Sequence, residues 1–161
     1  MSRTITLRND KGDEIKVMEN VISISSFVEC FIKDSEDPEP ILDVGKIPAQ
    51  TLERVICFCN YYLTDKMKNI PKPLVDYNLG NTVQEFYSDF ISKENDEIFE
   101  IIIAANYLGI LPLIDLGCAK IATLIKNKTV DEIRKLFKIE NDFTPEEEEQ
   151  IKSENKWSDE L

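Results

Sequence analysis

Four thiols, thirty-one carboxylates and no histidine bound the chemistry open to this chain. Without histidine there is no Ser-His-Asp or Cys-His nucleophile pair, and the commonest general base and zinc ligand are both missing. Carboxylates, lysines and cysteines remain. The cysteines are Cys30, Cys57, Cys59 and Cys118. Two disulfides of a secreted framework are one reading of four cysteines. Each, however, lies inside an apolar stretch of helical spacing, in a chain long enough for a core, so buried, reduced thiols in the cytosol or nucleus are expected. Cys57 and Cys59 would point about 200° apart on a helix and cannot chelate together. Glu146, Glu147, Glu148 and Glu149 would fan out at about 100° steps and cannot converge on one cation; charge at a helix N-terminus explains them better. Lys66, Lys68 and Lys72 suit a solvated loop in an acidic chain. With only 5 glycines there is no Gly-rich phosphate loop. No catalytic, cofactor or metal site is expected.

What remains is a scaffold, and its size fits one domain or one domain with an extension: 161 residues and 18.6 kDa. A chain of this length buries roughly 70% of its unfolded surface. Nineteen basic against 31 acidic residues leave a net charge of −12, which repels phosphate backbones, so neither nucleic acid nor an anionic membrane is an expected partner. No apolar run approaches the ~20 residues of a membrane span, and Met1-Ser2-Arg3-Thr4 does not begin a signal peptide.

The alternation of Ile5 and Leu7, the turn Asn9-Asp10-Lys11-Gly12, and Ile15 and Val17 predict a hairpin. Ile24, Phe27, Val28, Phe31 and Ile32 have helical spacing. Ile41-Leu42-Asp43-Val44 predicts a third strand. Pro48 suits the first position of a helix ending near Thr64, with Leu52, Val55, Ile56 and Cys59 on one face. Residues 65–85 are rich in Lys, Pro, Asn and Gly and predict a flexible insertion loop. A short helix over 86–91 follows. A strong helix from Asp96 to Leu108 is closed by Gly109, and Pro112 opens the next, which runs to about Lys126. Thr129 with Glu132, and Thr144 with Glu147, are two capping boxes, the second with Pro145 at N1. Each starts a further helix.

The helix containing Ile98-Phe99-Glu100-Ile101-Ile102-Ile103 is apolar nearly all round, as is the one after it. In so small a chain they are expected to bury one face and offer the other to a partner. After residue 139 the bulky apolar residues are Phe143, Ile151, Trp157 and Leu161. Residues 140–161 carry nine acidic side chains against two lysines. A helix this short and polar is marginal alone; it would gain most by docking its few apolar side chains on another protein.

Ile102-Ile103-Ala104-Ala105-Asn106-Tyr107-Leu108, then Leu113-Ile114-Asp115-Leu116-Gly117-Cys118, Thr129-Val130-Asp131-Glu132-Ile133-Arg134, Asn141-Asp142-Phe143-Thr144-Pro145-Glu146-Glu147-Glu148 and Glu154-Asn155-Lys156-Trp157 together resemble the S-phase kinase-associated protein family, as a divergent eukaryotic member. The likeness covers almost the whole chain, with several motifs in fixed order. It implies an α/β (α+β) fold of POZ/BTB type: a small three-stranded sheet with helices over residues 1–126, and a C-terminal helical extension that binds F-box proteins over 127–161. It implies a non-catalytic adaptor of SCF-type cullin–RING ubiquitin ligases, cytoplasmic and nuclear, whose partners are F-box proteins and a cullin scaffold. Asn106 and Tyr107 match the cullin-facing surface. Phe99, Ile103, Ile114, Cys118 and Ile121, with Phe137, Ile139, Phe143 and Trp157 of the extension, match the F-box-binding region. In some protist relatives the proline matching Pro145 is hydroxylated and glycosylated; here the role of an ordinary N1 proline suffices to explain it. Exposed apolar surface also implies weak self-association, to a homodimer, of the free protein. The alternative is a POZ-type adaptor of another complex, elongin C-like or serving transcription or kinetochore assembly. The elongin type lacks a segment matching Thr144–Trp157.

Overall fold

A computed structural model describes residues 3–156. The chain divides into two compact units, residues 1–126 and 127–161.

The first unit begins with strands β1 (Thr4–Arg8) and β2 (Glu14–Met18), paired antiparallel with Ile5 opposite Val17 and Leu7 opposite Ile15. Their turn is built on Asn9, which is buried. Its Oδ1 accepts from the Lys11 and Asp13 amides, while its Nδ2 donates to the Ile47 carbonyl. Gly12 takes φ +86° there, a value most side chains avoid. Strand β3 (Ile41–Asp43) adds in parallel on the far side of β1, giving the order β2-β1-β3.

Between β2 and β3 lie a short helix, α1 (Glu19–Ile22), and α2 (Ser26–Asp34). Helix α1 is an addition to the expected order; one turn is too short for periodicity to reveal. Helix α3 (Ala49–Thr64) starts one residue after the expected point, with Pro48 as its N-cap rather than N1. It buries Leu52, Val55, Phe58 and Cys59.

The 65–85 stretch is largely irregular, but it plants Ile70, Leu79 and Val83 in the core and includes α4 (Leu79–Thr82). Those three side chains are spaced too widely to register as a cluster in sequence. Helix α5 (Glu85–Ile91) then sets Tyr87 and Ile91 at zero exposure. Tyr87 packs edge-on to Phe58 and donates its hydroxyl to the Asp65 carbonyl.

Helices α6 (Asn95–Leu108) and α7 (Leu111–Ile125) complete the unit. The Thr51 hydroxyl donates to Glu100 at 3.0 Å and Arg54 pairs with Glu97 at 3.0 Å, tying α3 to α6. Gly109 closes α6 at φ +66°, φ/ψ that cost an L side chain about 1–2 kcal/mol. A Cβ there would also sit 2.0 Å from the Ser26 hydroxyl. At the same corner the Ser25 hydroxyl donates to the Leu108 carbonyl, and the Ser26 amide donates to the Gly109 carbonyl at 3.4 Å. The corner therefore locks α2 to the α6–α7 turn. Farther along α7, a Cβ at Gly117 would lie 2.4 Å from Ile102 Cγ1, so the two helices meet closely at that glycine.

The second unit holds α8 (Val130–Phe137) and α9 (Pro145–Glu154). Both expected capping boxes are formed. Neither helix contains a buried residue.

The cysteines depart from expectation. Cys59 is buried, and burial pushes its thiol pKa up to about 12. Cys30, Cys57 and Cys118 are exposed, because each falls on the solvent side of an amphipathic helix. All four are free thiols.

Gly109→Ala is expected to lower stability by about 2 kcal/mol or more, a fall of roughly 4–8 °C in Tm. Thermal unfolding followed by circular dichroism measures it; an unchanged Tm would show that the corner is not strained by a side chain.

Candidate functional site

Helix α6 is not covered all round. Ile98, Ile101, Ala104, Ala105 and Leu108 face the core, leaving Phe99, Glu100, Ile103, Asn106 and Tyr107 on the exposed side. Ile103 and Tyr107 are one helical turn apart, within about 40° of each other around the axis. Ile103 is 66% exposed and Tyr107 47%. Together they form one wall of an apolar groove of about 340 Å³ whose other wall is Val44, Ile47 and Pro48. Lys46 and Glu100 supply its polar rim. The parallel β1–β3 pairing carries the chain from Asp43 into that second wall, and the Asn9–Ile47 hydrogen bond holds it.

Helix α7 presents a second stripe. Ile114 and Ile121 are half-buried against the core and Cys118 is exposed, at i, i+4 and i+7 spacing. Leu113, Leu116 and Ala119 are buried on the opposite side. The five α6–α7 residues that the resemblance assigns to the F-box-binding region thus do not share one groove. Ile103 lines the groove with Tyr107, and none of Ile114, Cys118 and Ile121 lines it. Phe99 stands on α6 at 37% exposure.

In the second unit, Arg134 is the organising side chain. Its guanidinium pairs with Asp131 at 3.4 Å within α8 and with Glu148 on α9 at 3.1 Å. It also lies 5.9 Å from the Phe143 ring centroid, within cation–π range. Asn141 donates to the same Glu148 oxygen at 2.8 Å. These two donors, Asn141 first and Arg134 second, hold the Glu148 carboxyl below its ordinary 4.5.

Around this clamp lies a groove of about 570 Å³ lined by Val130, Arg134, Phe143, Ile151 and their neighbours. Val130, Phe143 and Ile151 are exposed, as is Ile139, while Phe137 is half-buried. Trp157 lies outside the described residues. Pro145 stands exposed at N1 of α9, where its missing N–H costs nothing, beside the Thr144 amide that donates to Glu147 at 2.8 Å. Sequence reasoning did not single out Val44, Ile47 and Pro48 as groove residues, nor Arg134 as a clamp. Each depends on a partner far along the chain.

Among the described residues, no group of His, Cys, Asp or Glu is arranged to hold a metal ion, and no helix is long and apolar enough to cross a membrane. The exposed apolar side chains flanked by polar rims suit contacts with other proteins.

Glu148 stabilises the α8–α9 pairing through its depressed pKa. That contribution is complete above the unfolded value near 4.5 and is lost as pH falls through the lower folded value. Helical chemical shifts of residues 145–154 are expected to fade over that acidic range in wild type, and to be weakened already at neutral pH in Arg134→Met. Unaltered shifts in Arg134→Met would show that the clamp is incidental.

Comparison with known proteins gives a consistent result. Residues 112–158 match the family model described as "Skp1 family, dimerisation domain". The chain is 46% identical over 162 residues to the S-phase kinase-associated protein 1 homolog of Tetrahymena thermophila, an alignment covering 99% of this chain and 96% of that protein. It is 35% identical over 160 residues to the E3 ubiquitin ligase complex SCF subunit sconC of Aspergillus clavatus, covering 99% and 100%. To the sconC subunit of Arthroderma benhamiae it is 35% identical, covering 97% and 95%.

Proposed function

The chain belongs to the Skp1 family, which has the POZ-type fold, and we propose that it is the adaptor subunit of an SCF-type E3 ubiquitin ligase, joining a cullin scaffold to F-box substrate receptors. The observation that carries this reading is end-to-end likeness to named SCF subunits, 35% identical over 99% of the chain. In this reading the adaptor acts by contact alone.

The geometry supports a division of labour. The first unit offers Tyr107 and Asn106 on α6 to the cullin. There the groove beside Ile103 gives a partner's apolar side chain somewhere to sit. The F-box is met by the α7 stripe of Ile114, Cys118 and Ile121, by Phe99, and by the second unit with Phe137, Ile139, Phe143 and Trp157. Ile103 belongs with the cullin face in this reading, because it shares a groove with Tyr107. The second unit has short, capped helices, and none of its described residues is buried, which suits a segment that gains its core on binding.

Reconstitution tests this. The chain mixed with an F-box protein and the N-terminal region of a cullin is expected to elute as a ternary complex on size-exclusion chromatography with light scattering. Failure to bind either partner overturns the adaptor reading. Tyr107→Lys is expected to weaken cullin binding about 30-fold, the scale of a truncated hot spot, and to spare F-box binding. Equal loss of both would contradict the division of surfaces. Deleting residues 144–161 is expected to cost F-box affinity while the first unit keeps its cooperative melt. A lost melt would assign the tail to the core instead.

A further inference from the structure

Tyr107 is exposed, yet its side chain is contacted on two sides. On one side the Phe27 ring from α2 meets it edge-to-face, with centroids 5.3 Å apart and planes at 63°. On another, its hydroxyl overlies Gly45, where an ideal Cβ would stand 3.7 Å away. Gly45 is itself held in the left-handed region at φ +64°, and its carbonyl accepts from the Asp10 amide at 2.8 Å. Phe27 is no loose flap either. It follows Ser25 and Ser26, whose hydrogen bonds to the Leu108 and Gly109 carbonyls fasten the start of α2 to the end of α6. It is 36% exposed, and the residue that α2 buries in the core is its neighbour Val28.

We propose that Phe27 is a positioning residue for partner binding: it holds the Tyr107 ring in one orientation before the cullin arrives, so that the ring's immobilisation is not charged against affinity. This deepens the proposed function and rests on Tyr107 facing the cullin. An exposed tyrosine normally loses rotamer freedom when it enters an interface. An edge-to-face neighbour removes that freedom in advance and favours one ring plane.

The test measures affinity of the full chain for a cullin N-terminal region by isothermal titration, with F-box binding and Tm recorded alongside. Phe27→Leu keeps apolar bulk without a ring face and is expected to weaken cullin binding roughly three- to tenfold. F-box binding stays at its wild-type value, and Tm falls by only about 1–6 °C, the loss expected for one ring pair. Phe27→Tyr restores the ring and is expected to bind as wild type does. In a Tyr107→Ala background, Phe27→Leu is expected to cost nothing further. Wild-type affinity in Phe27→Leu overturns the proposal, and so does an equal loss with and without Tyr107, since Phe27 would then act independently of that ring. A wild-type chain that binds no cullin refutes the adaptor reading itself, a different outcome from either.

Discussion

The left-handed turn at Gly109 is the constraint on which the exposed surfaces depend. It ends α6 and reverses the chain into α7, and it does so against the first turn of α2, where only the absence of a Cβ lets Ser26 fit. Moving that corner would move Tyr107 and Ile103 on one helix and Ile114 and Cys118 on the next. It would also shift Phe27, because α2 is bonded to the same carbonyls. Close approach of Ile102 to Gly117 then fixes how α7 lies on α6. Two glycines thus hold a set of surface side chains in register, and surface side chains in register are what an adaptor has to offer.

The two units solve the folding problem differently. Residues 3–126 close around a continuous core reaching from Ile5 to Ala119, with Tyr87 and Phe58 its largest fully buried side chains. In 127–156, by contrast, order comes from capping boxes and from one guanidinium shared by Asp131, Glu148 and Phe143. Exposed ion pairs contribute little, and ordering each residue costs conformational entropy. A segment held by so few interactions is suited to complete its packing on a partner, and its binding energy is then reduced by the ordering it still has to do.

Local signals made much of this legible in the sequence. The Asn9–Gly12 turn, the Gly109 stop and the Thr129 and Thr144 caps are written in residues a few positions apart, and all of them form. The exposed side of α6 was foreseeable from apolar residues running right round a helix in a small chain. Long-range pairings were not foreseeable. Cys30, Cys57 and Cys118 face outward because the opposite faces of their helices meet the core, which spacing alone did not decide. Ile70, Leu79 and Val83 reach the core from a stretch whose composition suggests only a loop. Ile103 joins Tyr107 rather than the α7 stripe because Val44, Ile47 and Pro48, some sixty residues away in sequence, come up beside it through parallel strand pairing. Assignment of partners to these faces came from resemblance to a family, since composition and periodicity say only that apolar surface is left over.

The central claim is that the first unit is complete by itself while the α8–α9 segment awaits a partner. Amide hydrogen exchange on the full chain, alone and with an F-box protein bound, tests it most directly. In the free chain the amides of 98–108 should exchange only through global opening, and those of 145–154 many times faster. With the F-box protein bound, the second set should slow while the first stays as it was. Protection of 145–154 equal to that of 98–108 in the free chain, unchanged by the partner, would contradict the account.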